Sequence, residues 1–256
     1  MEDDSSYFVF LKEELALIDN WEYKSHGRLI TTAYFRVNPN LIGSFYEKNL
    51  PINISASEYN EELFSIYYVL TGMFREHGDL DKANEYYEAL SLYSKNTKKS
   101  VSEKSFVRQS VKLASHEAVL AGIGKNVEKG LEITQRMLDQ SYAINDTSLI
   151  VLSNYFKMEF LIPQGKIDEY IALAEESLEL EELSQKESEF TYSLTSNLID
   201  GYIYKGVEKE KVWLLLKNLY YSGDAYKSLT YPFFIKALRI YDVNSTYRKK
   251  SLNCGK

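Results

Sequence analysis

The sequence predicts an all-α fold, a right-handed α-solenoid of stacked helix pairs with a C-terminal capping helix. Three observations predict it. The 256 residues hold only four prolines and twelve glycines, too little punctuation for a many-stranded sheet. Apolar residues recur at helical spacing over long stretches. Those stretches alternate as long helix, turn, shorter helix, and the turn positions Gly78, Lys125, Gly165 and Gly206 lie 47, 40 and 41 residues apart. Each pair has an apolar face that it cannot cover alone, so neighbours stack and share a core.

The most regular pair is Leu63 to Tyr93. His77-Gly78-Asp79 joins its helices. Tyr67, Leu70, Phe74, Ala83, Tyr87 and Leu90 sit where a tetratricopeptide repeat places its large and small packing residues. A regular repeat is about 34 residues long, so these units are degenerate, tetratricopeptide-like helix pairs. Upstream, Tyr7 to Phe35 is apolar at helical spacing and reads as one or two helices. Asn38-Pro39-Asn40 reads as a turn, and Leu41 to Leu50 as a short helix stopped by Pro51. Ser55, Ser57, Glu58, Glu61 and Glu62 signal the next helix start.

Downstream, Ser94 to Ser100 reads as a polar loop. Glu103 to Ala121 and Val127 to Gln140 form the second pair, with Gly130 where the first has Ala83. Thr147 to Ile162 and Lys166 to Leu183 form the third, Ser188 to Lys205 and Glu208 to Tyr221 the fourth. Ala225 to Tyr241 is a last helix. Its Leu229, Phe233, Phe234, Ile235, Leu238 and Ile240 either cap the stack or meet a second copy in a homodimer. The expected organisation is N-terminal helices over 1–57, repeats and capping helix over 58–241, and a polar tail over 242–256.

Composition narrows the function classes. A net charge of -7 argues against direct nucleic-acid binding. No apolar run approaches the roughly 20 residues of a membrane helix, and the acidic MEDDSS start is unlike a secretory signal, so a cytoplasmic location is expected. The single cysteine, Cys254, forms no intrachain disulfide and supports no cysteine metal site. His26, His77 and His116 have no partner at ligand spacing. His77 reads as a turn residue and His116 as a helix-surface or groove residue. Gly122-Ile123-Gly124-Lys125 lacks the remainder of a phosphate loop and reads as a helix stop. The run Glu175, Glu176, Glu179, Glu181 and Glu182 reads as a solvated helix face. No catalytic constellation is present, and no cofactor or metal is expected.

Recognition is the other use of stacked helix pairs, because their first helices line a concave surface that takes a peptide. The repeat pattern points Tyr68 and Arg75 inward on the first pair, and Arg108, Lys112 and Ser115 on the second. Arg108 and Lys112 are i, i+4 and share a helix face, where they could hold a peptide carboxylate. The third pair contributes Tyr155 and Glu159, with Asn154 adjacent. The fourth contributes Ser193, Ser196 and Asp200, with Asn197 adjacent. An asparagine gives both a donor and an acceptor to a peptide backbone, whatever the peptide's side chains. The plainer alternative for each residue is a solvated helix face.

Ile18-Asp19-Asn20-Trp21, Leu29 to Phe35 and Asn40-Leu41-Ile42 resemble the repeat region of Rgg-type regulators, as do the stretches Leu63 to Tyr93 and Phe106 to Leu138. The pattern over about residues 8–160 is similar to the peptide-sensing group that includes the Rgg, PlcR, Rap and arbitrium receptors. The resemblance implies binding of short signalling peptides, as in quorum sensing, by the sensory part of a bacterial regulator. DNA-binding members carry an N-terminal helix-turn-helix domain, for which nothing before Tyr7 leaves room. The chain is therefore expected either to be the repeat portion of a longer protein or to act without its own DNA reader. The expected function is a non-enzymatic peptide- or protein-binding module. The alternatives are an adaptor or chaperone scaffold for a protein partner and an enzyme on a helical scaffold.

Overall fold

The computed structural model describes residues 39–49, 51–184, 191–206 and 209–221. All regular structure among the described residues is helical. The helices are α1 (Pro39–Asn49), α2 (Glu61–Glu76), α3 (Leu80–Thr97), α4 (Glu103–Ile123), α5 (Val127–Ala143), α6 (Thr147–Leu161), α7 (Ile167–Ser184), α8 (Thr191–Lys205) and α9 (Lys209–Tyr221). Short 3-10 turns follow α3 and α6, at Lys98–Ser100 and Ile162–Gln164. The predicted helices from Tyr7 to Phe35, the last helix Ala225 to Tyr241 and the 242–256 tail lie outside the described residues. No helix among the described residues is long and apolar enough to cross a membrane.

Local sequence sets the helix ends. Asn60, Asp79, Asn126 and Asp146 cap α2, α3, α5 and α6, each side chain accepting from the backbone N–H three residues on. Such a cap contributes about 1 kcal/mol. Gly78, Lys125, Gly165 and Gly206 all adopt positive φ, between 53° and 83°. The four predicted turn positions therefore share one backbone conformation, Lys125 included despite its Cβ. A fifth residue, Asn145, adopts it between α5 and α6. At Gly78, Lys125, Asn145 and Gly165 the residue's N–H returns to the carbonyl three residues back. The following N–H reaches the carbonyl five residues before it. This hydrogen-bond pair satisfies carbonyls that a helix end leaves open.

Three local expectations change. Pro39 is the first residue of α1 rather than part of a turn, a position where its missing N–H costs nothing. The start of α2 is capped by Asn60, not by Ser55 or Ser57. Ser94 to Ser100 is no loop, because α3 runs on to Thr97. Ser94 and Thr97 are buried there with partners: Ser94 Oγ donates to Gln109 Oε1 at 2.5 Å and Thr97 Oγ1 to the Tyr93 carbonyl at 2.8 Å.

Packing divides the chain into residues 1–116 and 117–256, the division falling within α4. In the first unit α1 packs on α2 and α2 on α3. Tyr67, Leu70, Phe74, Ala83 and Leu90 form its core as predicted, each large apolar side chain contributing about 2 kcal/mol by burial. The predicted Tyr87 is replaced in that core by Tyr86, whose ring meets Phe74 at 5.3 Å and Tyr67 at 5.4 Å between centroids. Tyr86 Oη donates to Glu47, which also pairs with Lys82 at 2.8 Å. Burial alone would raise the Glu47 carboxyl, but the Lys82 and Tyr86 hydrogen bonds and the Lys82 charge bring it below the usual range.

In the second unit α5 to α9 pack in chain order, each on the next. Two contacts there exchange large for small. Gly130 on α5 lies against the Phe160 ring of α6, and a Cβ at Gly130 would stand 2.1 Å from Phe160 Cε1. Between α7 and α8 the small residue is Gly201 on α8, where a Cβ would stand 2.7 Å from Ile171 Cγ1 and 3.2 Å from Tyr170 Cδ1 of α7. Gly130 and Tyr170 each stand five residues after a left-handed turn residue, Lys125 or Gly165. Both interfaces thus seat a glycine against side chains of the neighbouring helix, with the glycine contributed from opposite sides.

Candidate functional site

The first unit brings four of the predicted inward residues into two hydrogen-bonded groups. Ser115 is 1% exposed. Its hydroxyl donates to the Lys112 carbonyl at 2.7 Å, so Tyr68 Oη, 2.9 Å away, donates to Ser115 Oγ. Lys112 Nζ stands 5.8 Å from the centre of the Tyr68 ring, within cation–π range. Beside Ser115 in sequence, His116 Nδ1 lies 3.2 Å from Arg75 Nη1. A guanidinium only donates, so Nδ1 is the acceptor and Nε2 carries the proton toward Asn84 Oδ1 at 3.4 Å. Tyr87 stacks on the His116 ring at 4.7 Å.

His116 is therefore not a surface or groove residue. It is 1% exposed and ties α4 to α2 and α3. Arg108 is exposed on α4, while Lys112 is directed to Tyr68. His77 caps α2 as expected for a turn residue, with Nδ1 2.9 Å from the Met73 carbonyl.

The second unit treats its predicted residues differently. Asn154 on α6 is 1% exposed. Its Nδ2 donates to Ser177 Oγ on α7 at 3.2 Å, but its Oδ1 has no partner. Ser196 Oγ and Asn197 Nδ2 on α8 are also buried and unpartnered. Ser193, Ser196, Asn197 and Asp200 stand at i, i+3, i+4 and i+7 and so share one stripe of α8. Leaving such an atom buried without a partner costs about 1–3 kcal/mol, and over nine-tenths of buried polar groups have one. The remaining buried orphan among the described residues is Gln109 Nε2, on a side chain turned to Ser94 of α3.

Around this stripe the charge is negative. Glu159 is exposed as a residue, yet the surrounding protein raises its carboxyl above the ordinary 4.5. Tyr170 is buried, and its hydroxyl is pushed up by burial first, then by the charges of Asp200 and Glu159 and by Tyr155. Tyr170 was not among the sequence-predicted residues; its apolar-looking register on α7 hid it. The acidic run on α7 is not simply a solvated face. Glu181 is buried and accepts from Thr191 Oγ1 at 2.6 Å, Glu175 accepts from Tyr202 Oη, and Glu176 accepts from Tyr142 Oη at 2.9 Å.

Among the described residues no three His, Cys, Asp or Glu side chains gather as a metal ion requires. The buried polar atoms without partners and the nearby carboxylates can offer hydrogen bonds and negative charge. No protein-family model, curated protein or solved structure matches the chain.

Proposed function

We propose that the chain is a non-enzymatic helical-repeat module that binds an extended peptide or protein segment, acting as the sensory part of a cytoplasmic regulator. The helix pairs are read as tetratricopeptide-like repeats, with α6 and α8 of the second unit supplying the ligand-facing residues. One observation carries this reading: Asn154 Oδ1, Ser196 Oγ and Asn197 Nδ2 are buried without partners on α6 and α8. A peptide backbone presents N–H and C=O groups in alternation. Its N–H suits the Asn154 oxygen and its C=O suits the Asn197 amide, whatever the peptide's sequence. The resemblance to peptide-sensing regulators supports the same ligand class.

Binding of fluorescein-labelled random heptapeptides to the full chain, followed by anisotropy, tests the reading. Asn154→Ala and Asn197→Ala should each weaken binding about tenfold, the effect of a lost buried hydrogen bond. Unchanged affinity in both variants would overturn the assignment of this face.

A further inference from the structure

Asn154 and Ser177 form a polar pair in apolar surroundings. Asn154 on α6 is 1% exposed and Ser177 on α7 is fully buried, and Asn154 Nδ2 donates to Ser177 Oγ at 3.2 Å. One turn away from Asn154 on α6 stand Ile150, Val151 and Met158, all buried and apolar. The other neighbour at that spacing is Lys157, whose Nζ is turned to Glu169 at 3.3 Å and Gln135 Oε1 at 3.4 Å. The adjacent Ser153 is engaged with its own helix and with α5: its hydroxyl donates to the Leu149 carbonyl at 2.7 Å and lies 3.3 Å from Ser141 Oγ. Nothing among the described residues donates to Asn154 Oδ1.

The register of α7 on α8 brings the remaining orphans of this unit to the same level. Lys205 pairs with Asp168 at 2.5 Å and Thr191 Oγ1 donates to Glu181 at 2.6 Å, so the two helices run antiparallel. Ser177 stands nine residues after Asp168, and Ser196 nine residues before Lys205. A ligand at this level meets an acceptor on α6, Asn154 Oδ1, and on α8 the Ser196 hydroxyl and a donor, Asn197 Nδ2. It must therefore bring both a donor and an acceptor. A main chain brings both at every residue save proline, whatever the side chain.

We propose that Ser177 is a positioning residue: it holds the Asn154 carboxamide by its nitrogen and leaves the oxygen for a main-chain N–H of the bound peptide. This rests on the peptide-binding reading above. A carboxamide that can turn over offers a donor or an acceptor alike. Held at Ser177, that of Asn154 only accepts. The site then selects an unsubstituted amide at one position of the peptide and refuses proline or an N-methylated residue there, because either leaves the buried oxygen without a donor.

Exchanging one amide for an ester removes a single N–H at nearly constant shape. Fluorescein-labelled heptapeptides, random except at one position fixed as alanine or as lactic acid, would be titrated with the full chain by anisotropy, one position at a time. Alanine should bind about tenfold tighter than lactic acid at one position, the effect of a lost buried hydrogen bond. Ser177→Ala should reduce that ratio to roughly threefold or less, and Asn154→Ala should abolish it. A merely structural loss weakens both peptides alike and leaves the ratio where it was. Should Ser177→Ala fail to melt cooperatively, Ser177→Cys, similar in size and a weak acceptor, takes its place. The inference is overturned if no position discriminates, or if the ratio is unmoved in the Ser177 variant. If Asn154→Ala nevertheless weakens every set, the peptide-binding reading stands without it. If no set binds, both fall.

Discussion

Ser115 on α4 and Ser196 on α8 are the same residue type, both buried, both predicted to face inward from a first helix, and the fold uses them oppositely. Ser115 links the Tyr68 hydroxyl to the Lys112 carbonyl. The Ser196 hydroxyl has no hydrogen-bond partner among the described residues. The contrast extends to their neighbours: Arg75 and His116 satisfy each other in the first unit, while Asn154 and Asn197 keep orphaned atoms in the second. Polar residues on an inward face thus have two distinct roles. Those of the first unit hold helices together, and those of the second keep buried polar atoms without hydrogen-bond partners among the described residues.

The comparison assumes that successive pairs share a register, and the Gly130–Phe160 contact is the sharpest place to break it. Gly130→Leu should destabilise the chain by about 3 kcal/mol or more, because the ring cannot yield in a packed interface. Gly130→Tyr combined with Phe160→Gly copies the Tyr170–Gly201 arrangement and should melt well above Gly130→Tyr alone. Equal melting temperatures for the two would mean that the pairs are not equivalent.

A smaller effect separates the serines directly. Ser115→Ala leaves the Tyr68 hydroxyl and the turn of α4 short of a partner and should cost about 1–2 kcal/mol in urea unfolding. Ser196→Ala removes an orphan and should leave stability within about 0.5 kcal/mol of the original, or raise it. Similar losses at both positions would erase the distinction.

The smallest effect concerns pH. Burial raises the Glu159 carboxyl above 4.5. Its contribution to stability is therefore full below that value and is lost as pH rises through the folded-state value. Glu159→Gln should melt slightly higher than the original chain near neutral pH and equally in acid. A variant that melts lower at neutral pH would show that the carboxylate is already stabilised.

Much of the fold was legible because its punctuation is local. Gly78, Gly165 and Gly206 announce helix ends, and Asp79, Asn126 and Asp146 announce starts within a residue or two. What stayed hidden depended on distant partners. Tyr86 and Tyr87 are adjacent, about 100° apart on a helix, and only Phe74 and His116 decide which one enters the core. The glutamates of α7 read as solvent-facing because Tyr142, Thr191 and Tyr202, which bond three of them, lie far away in sequence. Helical spacing alone puts Ser196 and Asn197 on one stripe of α8. That their polar atoms lack partners follows only from packing.

The turns after α2, α4, α5 and α6 have one more consequence, in time rather than space. Each closes with hydrogen bonds spanning three to five residues, and three of them pass directly into an asparagine or aspartate cap. Helix hairpins of this kind form without long loops to close, so the entropic barrier to bringing their helices together is low. Chains dominated by such near-neighbour contacts fold rapidly. A helix pair emerging during synthesis can therefore assemble on its predecessor before the next pair exists, keeping apolar faces covered as the chain lengthens.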